Sequence, residues 1–534
     1  MNKLFRTKQT INLLPMKNLR VILFLGIALV FGACSTQPPK QIKDSVTIAD
    51  GTVSGSFDES TGITTFKGIP FAAPPVGDLR WKAPQPVEPW EGVKECTEFS
   101  ASPMQATPMP FSMWTQEFIA PKEPLSEDCL YLNVWTPAKD ATEKHPVLVY
   151  IYGGGFSSGG SAVPIYDGME MAKKGLVFIT INYRVGTLGF LAHPELTAES
   201  PNNASGNYGL LDQVEALKWV NKNIAAFGGD PNNITIAGQS AGAFSVNYLV
   251  ASPLTKGLIH RAIAESGGAV LSTNALARGG SLKSAEEAGV KFAESLGASS
   301  VEELRAKSAD EILGGPGLRN PIVDGYFLPK PVSEIFANGE QNDIPVIIGW
   351  NEDEGFGGTP VPAGQFKERI KQLFGDKADE FLEKFPIKTD EEAFAIQNDL
   401  GALQTFGIQS YKWMLLQNEK ATSKVFMYRF ERDVPYADGM SDFGAFHTGE
   451  VPYAYNNLKM SPRPWTGADY KLADLMSDYW VNFAISGDPN AEGLPEWEAA
   501  TPDNLKAMRF NSTSACGDLP SIELLKFLDT FYSN

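Results

Sequence analysis

The segment Ile234-Thr235-Ile236-Ala237-Gly238-Gln239-Ser240-Ala241-Gly242 carries the strongest structural signal in this chain. Its first half is apolar and β-branched, which predicts a buried strand, and the run 243–250 that follows is compatible with a helix. Glycines on either side of Ser240 would let the strand and the helix approach closely at a sharp turn. The segment therefore predicts a strand, an elbow that exposes Ser240, and a helix.

Apolar runs with β-branched residues recur along the chain and alternate with helical patterns. The clearest are residues 147–152, 176–182, 345–350 and 425–430, each followed by a glycine-rich or polar loop. This alternation predicts an α/β fold with a mostly parallel sheet covered by helices. Residues 282–314 and 365–417 read as amphipathic helices that either roof a site or pack at the periphery.

Composition narrows the function class. The chain has 534 residues, of which 43% are hydrophobic and 20% charged, so it can bury a large core and is globular. Its formal charge of −18 argues against a nucleic-acid partner, because an acidic surface repels phosphate backbones.

The N-terminus predicts an export signal. Basic residues up to Arg20 precede an apolar run over 21–32 that is too short to span a bilayer. Phe31-Gly32-Ala33-Cys34 resembles a bacterial lipobox, which predicts cleavage of residues 1–33, acylation of Cys34, a tether over 34–45 and one catalytic domain over 46–534. The expected product is a membrane-anchored lipoprotein on the periplasmic or cell-surface side. The alternative is ordinary signal-peptidase cleavage near Ala33.

Two segments fit Gly-x-Ser-x-Gly, one around Ser157 and one around Ser240. Ser157 is followed by Gly160 and soon by Pro164, so no helix begins there. Ser240 has the strand before it and the helix after it, which is the context that exposes and activates a serine nucleophile. We therefore assign Ser240 as the nucleophile and Ser157 as a loop residue.

Backbone donors for a developing oxyanion are predicted on two loops. The Gly153-Gly154-Gly155-Phe156 loop follows a predicted strand, and glycines let its main chain approach a substrate. The N–H groups of Gly154 and Gly155, with that of Ala241 after the nucleophile, form a three-donor oxyanion hole.

The general base is chosen from only four histidines. His145 begins a strand, His193 lies in a loop, and His260 lies in the run 257–265, which reads as helical. His447 follows the last strong strand and comes after Ser240 in the chain. Hydrolases with a serine on this kind of elbow have the nucleophile first, an acid next and the histidine last, and His447 fits that order.

Four carboxylates compete for the role of the acid that orients His447. Glu352, Asp353 and Glu354 follow the strand that ends at Trp350, and Asp324 is a weaker rival. The residues alone do not rank the three adjacent acids.

These motifs resemble the type-B carboxylesterase family, which includes cholinesterases and bacterial para-nitrobenzyl esterases. The resemblance covers nearly the whole mature chain and rests on the segments at 67–72, 126–133, 182–184, 227–231, 238–242 and 487–490. It implies an α/β-hydrolase fold with helical insertions over the site, a Ser240-His447-Glu354 triad, small-molecule ester substrates, and no metal or organic cofactor.

Besides the acylated Cys34, three cysteines remain in the mature chain, Cys96, Cys129 and Cys516, and an oxidising compartment permits one disulfide. Cys96 and Cys129 are the predicted pair, because both lie in the N-terminal third. In the family, the partner of the cysteine matched by Cys129 usually follows Phe-Gly-Pro, whereas residues 99–103 of this chain are followed by Met104.

The expected reaction is ester hydrolysis through an acyl-enzyme on Ser240. One alternative is a noncatalytic, neuroligin-like binding protein on the same fold. Another is an amidase or lipase that uses the same triad.

Overall fold

The computed structural model describes residues 41–271, 280–354, 360–436 and 439–533. Residues from Gln41 onward form one compact unit. Ile42 is buried, and its N–H donates to Lys139 O over 3.0 Å, so the folded unit includes residues 41–45, which the sequence had assigned to the tether. The predicted signal segment 1–33 and the lipidation residue Cys34 lie outside the described residues.

The strands are short, and most of those in the central sheet are buried on both faces. In chain order they are β1 (Val46–Ile48), β2 (Gly51–Ser54), β3 (Ser56–Asp58), β4 (Ile63–Pro70), β5 (Val93–Glu95), β6 (Ser102–Pro103), β7 (Leu125–Ser126), β8 (Tyr131–Thr136), β9 (His145–Ile151), β10 (Val177–Ile181), β11 (Gly229–Gln239), β12 (Arg261–Glu265), β13 (Gly280–Ser281), β14 (Ile322–Val323), β15 (Val346–Asn351), β16 (Val425–Phe430), β17 (Lys506–Phe510) and β18 (Ala515–Asp518).

One large sheet organises the molecule, with strand order β18-β17-β16-β15-β12-β11-β9-β10-β8-β4-β3. The strands from β17 to β10 run parallel, and antiparallel strands lie at both edges. A parallel strand needs a cover on each face, which explains the continuous apolar runs of β9, β10 and β16. The five strands predicted from sequence all form, although β11 begins at Gly229, ahead of the expected Ile234.

Helices cover the sheet and form the two insertions. In chain order they are α1 (Met169–Lys173), α2 (Gly186–Phe190), α3 (Pro194–Glu199), α4 (Tyr208–Asn223), α5 (Ala241–Ala251), α6 (Leu282–Ser295), α7 (Val301–Arg305), α8 (Ala309–Leu313), α9 (Val332–Ala337), α10 (Ala363–Phe374), α11 (Ala378–Lys384), α12 (Asp390–Ala402), α13 (Ile408–Lys420), α14 (Val451–Ala454), α15 (Gly467–Ser486) and α16 (Ile522–Ser533).

The two predicted helical insertions are present, each broken into shorter pieces. Residues 282–314 form α6 to α8, and residues 365–417 lie mostly in α10 to α13. A π-helical turn over Leu403–Gly407 joins α12 to α13. Among the described helices, none combines the length and the apolar content needed to cross a bilayer.

One element differs from the sequence expectation. Residues 257–265 were expected to be helical, but Arg261–Glu265 forms β12, and His260 lies just before it. Strand β12 pairs with β11 on one side and β15 on the other, at the centre of the sheet. Pairing on both sides and burial outweigh the helical propensity of its two alanines.

The Cys96–Cys129 disulfide expected from sequence is not formed, because both residues are free thiols. Cys96 O accepts the N–H of Lys67, whereas Leu130 O, one residue after Cys129, accepts the N–H of Phe71. The backbone at Cys96 and the backbone beside Cys129 thus pair with different points along the β4 segment, and the two thiols are not bonded to each other.

The carboxyl ends of parallel strands meet at one edge of the sheet, where ligands bind in folds of this class. The glycine loop follows β9, Ser240 follows β11, Glu354 follows β15, and the segment that carries His447 follows β16. The topology thus brings four distant chain segments to one place.

Candidate active site

Ser240 occupies a sharp turn between β11 and α5. Its backbone angles are φ 56° and ψ −125°, a conformation that non-glycine residues rarely adopt. Hydrogen bonds of 2.9 Å from Ser240 N to Glu265 O and from Phe244 N to Ser240 O hold the turn. The serine is partly exposed at the end of a buried strand, as a nucleophile must be.

The glycines that flank Ser240 are required by close backbone packing. A Cβ on Gly242 would collide with Ile151 O at the end of β9, and a Cβ on Gly238 would lie 2.6 Å from Gly242 C. The close approach of strand and helix inferred from the sequence is therefore confirmed.

The glycine loop after β9 lies against the nucleophile. A Cβ on Gly153 would lie 3.0 Å from Ser240 Cβ. Gly154 and Gly155 have φ angles of 105° and 61°, which explains the need for glycine at these positions. Within the described residues, no hydrogen bond uses the N–H of Gly154, Gly155 or Ala241, so these donors are available to a ligand.

His447 is held between aromatic and polar neighbours. Its imidazole stacks on the Phe406 ring, with centroids 4.6 Å apart and planes 13° from parallel, and the Trp114 ring meets it edge-on at 6.3 Å. The amide nitrogen of Gln239 lies 3.2 Å from His447 Nε2 and 3.4 Å from Nδ1. An atom this close to both ring nitrogens lies above the ring plane rather than in it.

The surroundings of His447 keep it neutral. The side chain is only 2% exposed, and burial lowers its pKa to about 4. The neutral imidazole is the form that can accept a proton. Between the described residues there is no hydrogen bond from the Ser240 hydroxyl to this ring, and catalytic hydrogen bonds of this kind often tighten only when a substrate is bound.

The three adjacent carboxylates after β15 diverge. Glu352 accepts a hydrogen bond of 2.8 Å from Arg429 on the neighbouring strand β16. Asp353 accepts hydrogen bonds of 2.8 Å from the Ala445 N–H and from the Asn398 amide, and so fixes the segment that leads to His447. Neither carboxylate is the acid at the histidine.

Glu354 is the carboxylate that the structure brings to His447. Its Oε1 lies 3.8 Å from His447 Nδ1, which is an electrostatic contact rather than a hydrogen bond. The same oxygen accepts the Ser266 hydroxyl and the Asn351 N–H, the latter over 2.8 Å. Glu354 is fully buried, and burial raises its pKa to about 8.

The remaining candidates have structural roles. Asp324 follows β14 and accepts the N–H groups of Tyr326 and Leu328 at 3.1 and 2.9 Å, which closes a turn. His145 hydrogen-bonds to Gly175 O at the start of β9, and His193 caps helix α3 by accepting Glu195 N–H.

Sequence reasoning missed several residues of the site. Ser266 follows the end of β12, so the strand-end rule would have flagged it if residues 261–265 had been recognised as a strand. Glu450 is fully buried, accepts the Asn351 amide, and has a pKa raised to about 7 by burial and by Glu354. Phe406 gave no signal, since a π-helical turn inside a helical run leaves no sequence pattern.

Comparison with known proteins places this geometry in a family. A profile of the carboxylesterase family matches residues 42–523, which is most of the chain. The chain belongs to the carboxylesterase family. Membership confirms the α/β-hydrolase fold and the serine ester hydrolase activity that the sequence predicts.

Curated relatives of the family match over similar lengths. Fumonisin B1 esterase of Sphingopyxis macrogoltabida is 36% identical, over 89% of this chain and 87% of its own. Liver carboxylesterase 1 of Oryctolagus cuniculus is 34% identical, over 88% and 90%. Para-nitrobenzyl esterase of Bacillus subtilis strain 168 is 33% identical, over 90% and 97%.

Proposed function

We propose that Ser240, His447 and Glu354 form the catalytic triad of this esterase, and that Gly154, Gly155 and Ala241 form its oxyanion hole. The observation that carries the proposal is the position of Glu354, which alone among the three adjacent acids after β15 approaches the imidazole, at 3.8 Å. The substrates are small to medium carboxylic esters.

Acylation begins when Ser240 Oγ attacks the ester carbonyl carbon and His447 takes the hydroxyl proton. The carbonyl π electrons move to oxygen, and the three backbone N–H groups stabilise the resulting anion, by about 3 kcal/mol for one donor. The intermediate collapses, the C–O bond to the alcohol breaks, and the imidazolium gives its proton to the leaving alkoxide. The products of this half are the free alcohol and an ester on Ser240.

Deacylation repeats the sequence with water. His447 removes a proton from water as the water oxygen attacks the acyl carbon. The intermediate then collapses, the bond between the acyl carbon and Ser240 Oγ breaks, the imidazolium returns its proton to Oγ, and the carboxylic acid is released. Burial raises the pKa of Glu354, but the positive charge that forms on the imidazole 3.8 Å away favours the ionised carboxylate, so the two charges stabilise each other during the reaction. No step requires a redox change.

Covalent labelling tests the nucleophile directly. A fluorophosphonate probe should label the active protein once, and mass spectrometry of the digest should place the adduct on Ser240. Prior incubation with a 4-nitrophenyl ester should slow labelling, because both reagents compete for one hydroxyl. An adduct on Ser157, or labelling that a slow substrate does not protect against, would contradict the assignment.

We further propose that the mature protein begins at Cys34 as a bacterial lipoprotein. The proposal rests on the basic, apolar and small-residue order of residues 1–33 before the cysteine. Growth of the expressing bacterium with an alkyne fatty acid should label the wild type and not Cys34→Ser. Equal labelling of both, or a mature N-terminus that retains residues before Cys34, would overturn it.

A further inference from the structure

An arginine lies beside the proposed oxyanion loop. Arg319 belongs to the segment between α8 and β14, and its Nη1 donates to Ser157 Oγ over 3.2 Å. The same nitrogen would lie 3.8 Å from a Cβ on Gly155. The guanidinium thus borders one of the residues assigned to the oxyanion hole.

This guanidinium has no acidic partner among the residues that the structure describes. Most other described arginines form ion pairs with carboxylates, although the chain carries a net charge of −18 and offers acids in excess. The paired ones are Arg80, Arg184, Arg305, Arg429, Arg432, Arg463 and Arg509. An exposed, unpaired cation beside the glycine loop of an acidic protein can meet a negative charge from outside.

The segment that carries Arg319 is anchored. The N–H of the preceding residue, Leu318, donates to Thr187 Oγ1 over 3.2 Å, and Leu318 packs against the smaller apolar core. Gly315, earlier in the segment, lies against the Phe292 ring. The backbone that leads into Arg319 is therefore held in place, while the exposed side chain reaches Ser157 at the glycine loop.

We propose that Arg319 binds a carboxylate of the substrate, so that the enzyme prefers esters that carry a free carboxylate a few carbons from the scissile bond. This inference rests on the function proposed above and names its substrate class. A guanidinium presents two parallel N–H groups that match the two oxygens of a carboxylate. Its distance from Gly155 fits an ester of a short dicarboxylic acid, or an ester of a short hydroxy acid.

Paired substrates test the proposal. The kcat/KM values for mono-4-nitrophenyl glutarate and neutral 4-nitrophenyl pentanoate probe a carboxylate on the acyl side. The values for 4-acetoxybenzoate and phenyl acetate probe one on the alcohol side. In at least one pair, Arg319→Gln should lower kcat/KM of the charged ester by about tenfold, because one charge-assisted contact is lost. The kcat/KM of the neutral ester should change less than twofold. Arg319→Lys should retain part of the preference.

The control is Arg369→Gln, since Arg369 is an exposed arginine on α10 that also has no carboxylate partner among the described residues. It should leave all four values unchanged. The preference of the wild type for the charged esters should also weaken between 0.05 and 0.5 M NaCl. Over that range the Debye screening length falls from roughly 14 Å to roughly 4 Å, so the salt weakens the attraction between the guanidinium and the carboxylate.

Two results would overturn the inference. Equal losses on charged and neutral esters in Arg319→Gln would show that the arginine acts on the oxyanion of every substrate. No loss on either charged ester would show that it binds no carboxylate. In both cases, persistent hydrolysis of the neutral esters by an enzyme with Ser240 intact would leave the proposed esterase function standing.

Discussion

Residues 155–159 and 238–242 share the pattern Gly-x-Ser-x-Gly and have opposite surroundings. Ser240 lies between the end of a buried strand and the start of a buried helix, and the packing of these two elements imposes its φ of 56°. Ser157 lies in a surface loop, where its hydroxyl donates to Gly154 O over 3.1 Å. The hydroxyl of Ser157 is thus engaged within its own turn, whereas Ser240 is held between two elements of the core.

The comparison shows that the flanking elements, not the five-residue pattern, create a nucleophile. The elbow glycines of 238–242 exist because backbone atoms occupy the space of a side chain. In 155–159, a Cβ on Gly155 would meet only van der Waals contacts at 3.8 Å, so its positive φ is what calls for glycine, whereas a Cβ on Gly159 would lie 2.5 Å from the Tyr152 ring. Gly238 and Gly242 thus answer a steric demand, and Gly155 answers a conformational one.

The largest expected effect separates the two serines. Ser240→Ala should reduce kcat for a neutral 4-nitrophenyl ester by about 10⁴-fold or more with the fold intact, because no other hydroxyl takes over the nucleophile's role. Ser157→Ala should stay within about twofold of the wild type. Circular dichroism of both variants checks folding, and substantial turnover by a pure Ser240→Ala preparation would refute the assignment.

The second-largest expected effect is on the free energy of unfolding, and it distinguishes Gly242 from Gly155. Gly242→Ala should lower the free energy of unfolding by about 3 kcal/mol, since its Cβ meets Ile151 O. Gly155→Ala should lower it by only about 1 kcal/mol, the cost of a positive φ for alanine. Denaturant titration measures both. Equal losses would mean that the elbow can open to admit a side chain.

A smaller effect concerns His447, which Gln239 of the 238–242 segment contacts. Phe406→Leu removes the ring stacked on His447 and should lower kcat about fivefold, with little change in KM, because a stacked pair contributes about 1 kcal/mol to holding the imidazole. Phe406→Tyr should restore most of the rate.

The matched control for that variant is Phe374→Leu. Phe374 is stacked on Phe381 in the α10–α11 pair, with centroids 5.0 Å apart. This substitution should lower stability and leave kcat unchanged. If both leucine variants lose the same fraction of kcat, the ring on His447 has no special role.

The smallest effect is a shift in pH dependence. Burial lowers the pKa of His447 to about 4, so kcat/KM of the wild type should fall only as pH drops towards that value. Gln239→Glu places a carboxylate beside the imidazole, which favours the protonated ring. The acid limb should therefore move up by about one to two pH units.

Gln239→Met is the neutral control for this shift and should keep the acid limb of the wild type. Kinetics on a neutral ester from pH 4 to 9 measure all three proteins. An acid limb near pH 6.5 in the wild type, unmoved by the glutamate, would mean that Gln239 and burial do not set the titration of His447.

The sequence predicts those parts of the fold that depend on continuous runs. Strand β16 forms at the predicted residues, and β9, β10 and β15 differ from prediction by no more than two residues at either end. Each is an apolar run closed by a glycine or a polar residue, so local pattern and buried environment agree. The helix predicted over residues 261–265 was wrong because their pattern is short, and pairing with β11 and β15 makes them a strand.

The residues of the candidate site likewise fall into those that local sequence predicts and those that distant contacts determine. Ser240 and the glycine loop follow strands directly, so their positions could be inferred from the chain alone. Residues alone could not rank Glu352, Asp353 and Glu354, since their fates are decided by partners far away in sequence, such as Arg429 and Ala445. Phe406 reaches His447 from the second insertion, and Arg319 reaches the glycine loop from the segment that follows the first, and no local pattern encodes either contact.

The separation of Cys96 and Cys129 along β4 has a practical consequence. Native folding of the described part of the chain calls for no oxidant and no thiol oxidoreductase, since its three cysteines remain reduced. A version that starts at residue 41 should mature in the reducing cytoplasm of an expression host. It should tolerate millimolar dithiothreitol during purification and storage, with the same melting temperature and the same yield of active enzyme.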